Sequence, residues 1–236
     1  MSLAVIAFDF DPYLHIGDGV VRWETLGIAA AIFFGIALAA IGARTMGLRA
    51  DDLLFVVLGV VPGAVVGGAI TGGIVAALLD GNVGRWFHIS ALPVLLVIGA
   101  GKLSMVLGGT GQGQPWTGSF ATAYLGDGPW GSLAPALPSH PSQAYEGIAT
   151  LVVLVVLMGV LAVPGLRRPD GRAFLIAVGL WAVARSVVVT TWRDPVTVGP
   201  FRTEQVIALL IAIACLIGFV GLIRREGPAS PALATG

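Results

Sequence analysis

Charged side chains are too scarce in this chain to cover the surface of a soluble protein. Only 11% of its 236 residues are Asp, Glu, Lys or Arg, whereas 56% are hydrophobic. Soluble domains carry about 25% charged residues, and a water-exposed surface needs at least that share. The composition therefore excludes a soluble enzyme and a disordered chain, and it indicates a protein that crosses a membrane several times.

Six apolar stretches are long enough to cross a bilayer as helices, which takes about 20 mostly apolar residues. They cover residues 20–41, 53–79, 89–107, 144–163, 173–191 and 206–223. Barrel strands would be shorter, ~10 residues each with alternating polarity. We therefore predict an all-α, polytopic helical bundle that forms one transmembrane domain over residues 1–226, followed by a disordered tail at 227–236.

Arginine placement predicts the orientation of this bundle, because cytoplasmic loops are enriched in Lys and Arg. The loop arginines on one side are Arg44, Arg49, Arg167, Arg168, Arg172, Arg224 and Arg225. Residues 108–139 contain no Lys or Arg and are rich in Gly and Pro, so we predict a periplasmic loop, either a plain surface loop or a lid over a site. This placement needs an odd number of crossings between residues 49 and 108, so we expect residues 53–79 to be broken or doubled back into a compressed seventh crossing.

Charge and cysteine content exclude further classes of partner. The formal net charge is zero, which leaves no basic surplus to bind nucleic acid. The single cysteine, Cys215, cannot support a disulfide framework or a thiolate metal cluster.

Ionisable residues inside apolar spans are costly, so each is a functional candidate. Lys102, the only lysine, lies late in the third predicted span, where snorkelling to the interface is the alternative explanation. Arg185 lies deep in the fifth predicted span, and Arg193 follows in the next loop. These cations suit a lipid phosphate; a structural ion pair, for instance between Arg185 and Glu146, is the alternative.

A polar cluster lies at the outer start of the fourth predicted span. Residues 139–146 read Ser-His-Pro-Ser-Gln-Ala-Tyr-Glu, and Ser142 is a plausible N-cap. A helix starting there places His140 and Ser142 at its mouth and Tyr145 and Glu146 one turn in. The cluster is either a polar cap at the interface or part of a site.

The sequence resembles a known family at these residues. Residues 140–146 reproduce the His-Pro-Ser-Gln-x-Tyr-Glu signature of the prolipoprotein diacylglyceryl transferases. Weaker matches follow in the family's order: Phe10-Asp11-Pro12, Val21-Arg22-Trp23, Asp52-Leu53-Leu54-Phe55 with Gly59, Pro115-Trp116, Gly179 through Arg185, and Gln205. The resemblance covers nearly the whole chain.

The resemblance implies a multi-pass enzyme of the bacterial inner membrane whose cavity opens to the periplasmic leaflet. Such enzymes transfer the diacylglyceryl group of phosphatidylglycerol to the lipobox cysteine in the signal peptide of a prelipoprotein, and they release glycerol phosphate without a metal or organic cofactor. The residues that would hold the lipid phosphate are Lys102, Arg185, Arg193, Ser142 and Gln143. The catalytic residues would be His140, Glu146, Tyr145 and Arg185, with His140 or Glu146 orienting or deprotonating the thiol.

Several positions depart from the family pattern and leave other functions open. The departures are Lys102 for an arginine, Met105 and Gly108 for two asparagines, Thr110 and Val189 for glutamates, Glu24 for a tyrosine and Thr71 for a histidine. One alternative is a catalytically impaired paralogue that binds anionic lipid or a lipoprotein precursor. Another is a transferase with a different acceptor or lipid. A small transporter is a third, although the chain lacks the internal repeat that many transporters show.

Overall fold

Five long helices dominate the computed structural model, which describes residues 5–49 and 82–225 together with Asp52, Ile74 and Ala77. The helices are α1 (Trp23–Thr45), α2 (Val83–Gly108), α3 (Ser142–Leu161), α4 (Arg172–Val188) and α5 (Thr203–Arg224). A 3-10 turn, Val189–Thr191, continues α4. All five helices are long and apolar enough to cross a membrane.

Five of the six predicted spans coincide with these helices. The stretch at 53–79 lies outside the described residues apart from Ile74 and Ala77, and so does the tail at 227–236. The first helix begins at Trp23 rather than residue 20, because the residues just before it form a strand.

Three short strand pairs make the fold mostly helical rather than all-α. The strands are β1 (Ile6–Phe8), β2 (Tyr13–Ile16), β3 (Gly19–Arg22), β4 (Thr122–Tyr124), β5 (Val196–Val198) and β6 (Phe201–Arg202). β1 pairs with β4 in parallel, whereas β2–β3 and β5–β6 are antiparallel hairpins. Gly17, with a φ of +58°, allows the tight turn of the β2–β3 hairpin. Strands of two to four residues carry too little periodicity to be recognised from sequence.

Small residues allow α1 and α2 to pack closely. The buried face of α1 consists of Ala31, Gly35, Ala39 and Ala43, and close approach of such residues drives helix association in lipid. A Cβ added at Gly27 would overlap Ser104, one at Gly35 would overlap Val97, and one at Gly42 would meet Ile89. Later positions on α1 contact earlier positions on α2, so the two helices are antiparallel.

One end of the bundle, called here the site end, is formed by the starts of α1, α3 and α5 and the ends of α2 and α4. Three polar pairs join these helix ends: Glu24 with Thr110, Lys102 with Glu146, and Arg185 with Glu204. The opposite, arginine-rich end contains the end of α1 and the start of α2. There Phe87 packs against Phe174 of α4, and Gly218 of α5 lies against Leu175.

The helix faces divide into an inner core and an apolar outer surface. Ala91, Leu95, Leu157, Ala177 and Trp181 are buried between α2, α3 and α4. The outer faces expose large apolar side chains, among them Phe33, Phe34, Leu216 and Ile217. Exposed apolar area of this extent suits contact with lipid.

Residues 109–139, called here the cap, pack onto the site end rather than forming a plain surface loop. Residues 121–124 of the cap are buried, and β4 pairs with β1. Gln112 donates hydrogen bonds to the carbonyls of Thr122 (2.8 Å) and Leu137 (3.1 Å). Burial raises the pKa of Tyr124 to about 12, so its hydroxyl stays neutral. The cap therefore has a folded interior of its own.

Candidate functional site

Glu146 is a buried carboxylate with one cation on each of its oxygens. Its Oε1 accepts a hydrogen bond from Nη1 of Arg185, and its Oε2 lies 3.2 Å from Nζ of Lys102. The three side chains come from α3, α4 and α2, respectively. A buried charge requires such partners, because removal from water costs several kcal/mol per ion. The Arg185–Glu146 pair that the sequence suggested as an alternative is therefore present, and Lys102 joins it.

Arg185 has a second carboxylate partner, Glu204, in the first turn of α5. The Nη2 of Arg185 donates to Oε2 of Glu204 at 2.6 Å. Lys102, Glu146, Arg185 and Glu204 together are called here the charge cluster, and their formal charges sum to zero. The side chains of Arg185 and Lys102 are 19% and 21% exposed, so neither is fully buried.

Trp192 covers the ammonium group of Lys102. The Nζ atom lies 4.6 Å from the centre of a Trp192 ring, a distance at which cation–π attraction operates. Sequence reasoning missed both Trp192 and Glu204, because tryptophan and glutamate are ordinary residues at the ends of membrane spans. The position of Glu204 at a helix start, where a carboxylate is favoured, was the available signal.

His140 lies in an aromatic stack just before α3. Its ring is nearly parallel to that of Trp116, with the centroids 4.3 Å apart, and Tyr145 approaches it edge-on. Burial lowers the pKa of His140 below its ordinary value of about 6.5, so the ring is neutral at neutral pH. Its Nδ1 is buried without a hydrogen-bond partner among the described residues. A neutral imidazole of this kind can accept a proton.

Ser142 is not the N-cap that the sequence predicts. α3 begins at Ser142 itself, with Pro141 in the N-cap position. The Ser142 hydroxyl instead donates to the carbonyl of Thr191 at 3.0 Å and lies 2.7 Å from the Thr191 hydroxyl. It therefore joins the start of α3 to the turn that ends α4.

Gln143 and Arg193 make contacts with the cap. Gln143 is fully buried and donates to the hydroxyl of Tyr124 at 3.0 Å. Arg193 donates to the carbonyl of Gly113 at 2.5 Å and to the hydroxyl of Ser139 at 3.1 Å. Of the predicted phosphate ligands, the structure thus brings Lys102 and Arg185 together on one carboxylate, whereas Ser142, Gln143 and Arg193 bind neighbouring protein groups.

Three positions that the resemblance marks as departures contact one another. Glu24 accepts a hydrogen bond of 2.8 Å from the hydroxyl of Thr110, and a Cβ added at Gly108 would overlap the Glu24 carboxylate. Arg22 lies 3.6 Å from Glu24 and donates to the carbonyl of Gly108. Position 110 is a threonine, and the carboxylate beside it is that of Glu24 on α1.

Metal ligands are not grouped in the part of the chain that the structure describes. There, no three His, Cys, Asp or Glu residues lie close enough together to hold a metal ion.

Comparison with known proteins extends over most of the chain. A family model described as prolipoprotein diacylglyceryl transferase matches residues 61–221. The phosphatidylglycerol–prolipoprotein diacylglyceryl transferase of Gluconacetobacter diazotrophicus is 28% identical over 282 residues, covering 98% of this chain and 96% of that protein. The protein of the same name from Geobacter sulfurreducens is 28% identical over 263 residues, which cover 92% of this chain and 98% of that protein. A third, from Wolinella succinogenes, is 31% identical over 42% of this chain.

Proposed function

The chain belongs to the prolipoprotein diacylglyceryl transferase family, and on that premise we propose that it transfers the diacylglyceryl group of phosphatidylglycerol to the lipobox cysteine of a prelipoprotein. The observation that carries this proposal is the pair of partly exposed cations, Lys102 and Arg185, held on the buried carboxylate of Glu146. Two cations fixed side by side in an apolar bundle suit an anionic lipid headgroup.

The chemistry requires stabilisation of a departing phosphate. The cysteine sulfur attacks the carbon of the diacylglyceryl group that is bonded to the phosphate oxygen. A carbon–sulfur bond forms, and the bond between that carbon and the phosphate oxygen breaks. The electron pair of the broken bond stays on the phosphate oxygen, and glycerol phosphate leaves with more negative charge than the diester had. Lys102 and Arg185 would stabilise this developing charge without reorganisation. Because both oxygens of Glu146 are bound to these cations, we assign Glu146 the role of holding them in place.

His140 is the proposed acceptor of the thiol proton. Its burial keeps it neutral, and its Nδ1 has no partner among the described residues. Protonation would remove this capacity, so kcat/KM should fall as pH drops through the lowered pKa of His140, below about 6.5. We expect His140→Gln to lower the plateau rate about a hundredfold and to abolish this acid limb. A pH profile of transfer to a lipobox peptide measures both; an unchanged acid limb in the variant would reject His140 as the base.

The overall activity is testable in cells depleted of their own transferase. Expression of this chain should restore the diacylglyceryl modification of a reporter prelipoprotein, detected by mass spectrometry. The matched control is the same reporter with serine in place of its lipobox cysteine, which should stay unmodified. Absence of modification in the presence of folded protein would favour the impaired, lipid-binding paralogue, and modification of another acceptor would favour changed specificity.

We further propose that the protein resides in the bacterial plasma membrane with its site end facing the periplasm. The arginine-rich end carries eight of the thirteen basic residues, which supports a cytoplasmic location for that end. In a Cys215→Ala background, an impermeant maleimide added to spheroplasts should label Asp18→Cys in the β2–β3 turn and should not label Pro169→Cys between α3 and α4. The reverse pattern would invert the orientation.

We also propose six spans, with residues 53–79 doubled back into a compressed seventh crossing. What supports it is that α1 ends and α2 begins at the same end of the bundle.

A further inference from the structure

The guanidinium of Arg185 is shared between two carboxylates that differ in burial. Nη1 binds Glu146, whose side chain is 2% exposed, and Nη2 binds Glu204 at 2.6 Å, whose side chain is 41% exposed. Glu146 is fixed by a second cation, Lys102. Glu204 is the partner of Arg185 that can leave, because it is the more exposed carboxylate and Arg185 is the only cation that the structure pairs with it among the described residues.

Charge balance opposes simple addition of an anionic phosphate to the charge cluster. Its two cations and two carboxylates already sum to zero, so a bound phosphodiester would bring the sum to minus one. The phosphate would also lie beside two carboxylates. Neighbouring negative charges repel one another strongly where the dielectric constant is low. Exchange of one carboxylate for the phosphate keeps the sum at zero.

We propose that Glu204 is an internal stand-in for the substrate phosphate. It binds Nη2 of Arg185 until the phosphate of the lipid binds, moves aside then, and returns when the phosphate product leaves. This inference rests on the proposed function, because it takes a lipid phosphate as the ligand of Arg185.

The local structure allows the Glu204 side chain to move without moving the helix. The neighbouring Gln205 fixes the backbone, since its Oε1 accepts from the Arg202 amide at 3.0 Å and its Nε2 donates to the Ser186 carbonyl at 3.1 Å. Glu204 also lies in the first turn of α5, where the helix dipole stabilises a carboxylate that has left Arg185. Only side-chain rotation is therefore needed.

A returning carboxylate assists product release. The glycerol phosphate product carries more charge than the diester, so the two cations would hold it more tightly than the substrate. Competition from Glu204 offsets this difference. Removal of the Glu204 carboxylate should therefore strengthen the binding of the lipid substrate and of the glycerol phosphate product. Turnover should slow, so KM and kcat should fall together.

The test uses the full chain in phosphatidylcholine nanodiscs titrated with acyl-labelled phosphatidylglycerol, with binding followed by energy transfer from tryptophan. For Glu204→Gln we expect the half-saturating lipid fraction to fall about three- to fivefold, the range for a partly exposed ion pair. Inhibition of binding by soluble glycerol phosphate and by inorganic phosphate should strengthen to a similar degree. Asp194→Asn, which removes the same charge from an exposed loop position, should leave all three values unchanged.

Equal or weaker lipid binding by a folded Glu204→Gln variant would overturn the proposal. A gain confined to the soluble phosphates would also overturn it, because the exchange with substrate would then be absent. If Glu204→Gln does not fold, Glu204→Asp, which draws the carboxylate back from Arg185, should shift binding in the same direction by a smaller factor. The binding assay needs no turnover, so loss of the proposed transferase activity would not be mistaken for failure of this exchange.

Discussion

Replacement of Arg185 by alanine is expected to lower the rate of diacylglyceryl transfer by roughly a thousandfold, the upper range for loss of one donor that stabilises transition-state charge. Arg185 is the only residue that joins both carboxylates of the charge cluster within the described part of the chain. Its loss would remove a phosphate ligand and leave Glu146 with Lys102 alone. Transfer from phosphatidylglycerol to a lipobox peptide in nanodiscs measures the effect.

Two further variants separate charge from geometry at this position. Arg185→Lys keeps the charge but loses the planar fork that binds two oxygens, so its rate should lie between wild type and Arg185→Ala. Arg224→Ala removes a cation at the arginine-rich end and should leave transfer unchanged. Retention of more than about a tenth of wild-type activity by folded Arg185→Ala would remove Arg185 from the proposed site, since a stabilising donor contributes at least that factor.

Replacement of Glu146 by glutamine is expected to destabilise the bundle by about 3 kcal/mol, as when one partner of a buried ion pair is removed. Lys102 and Arg185 would then lie together with no carboxylate between them, and part of the positive charge would be buried uncompensated. The expected result is a lower apparent unfolding temperature in nanodiscs, together with loss of transfer. A fall in activity with no change in stability would contradict this electrostatic role.

A double variant tests the cause of that destabilisation. Adding Lys102→Met to Glu146→Gln removes the excess cation while keeping an apolar chain of similar length. Stability should recover in part, because Lys102→Met removes one of the two cations that Glu146→Gln leaves without their shared carboxylate. Activity should not recover, since one proposed phosphate ligand is then missing. Additive losses of stability would show that packing, rather than charge, explains the first effect.

The membrane helices were predictable because scarcity of charge and length of apolar runs are properties of the sequence itself. Lys102, Glu146 and Arg185 could also be singled out, since ionisable residues within spans are costly. Their convergence could not be derived, because Arg185 follows Glu146 by 39 residues and nothing local records which helix faces meet. Glu204 and Trp192 escaped notice because they stand at span ends, where such residues are common.

The contact between Glu24, Gly108 and Thr110 could not be predicted from the sequence either, because the three positions are compared with the family pattern one at a time. The sequence resemblance marks each of them as a departure, and each would count separately as a lost residue. In the structure Glu24 and Thr110, 86 residues apart, share a hydrogen bond over the space left by Gly108. The three positions therefore form one polar contact between the start of α1 and the chain that follows α2, and the site end is polar there.

The parallel pairing of β1 with β4 has a consequence for the order in which the molecule is assembled. Ile6 lies opposite Thr122, so the first strand has no partner until α1 and α2 have been synthesised. Contacts between residues so distant in sequence form late, because a long loop must close before they contribute. The cap therefore cannot be completed before α1 and α2 have been synthesised. The charge cluster is completed later still, because Glu146, Arg185 and Glu204 lie on α3, α4 and α5.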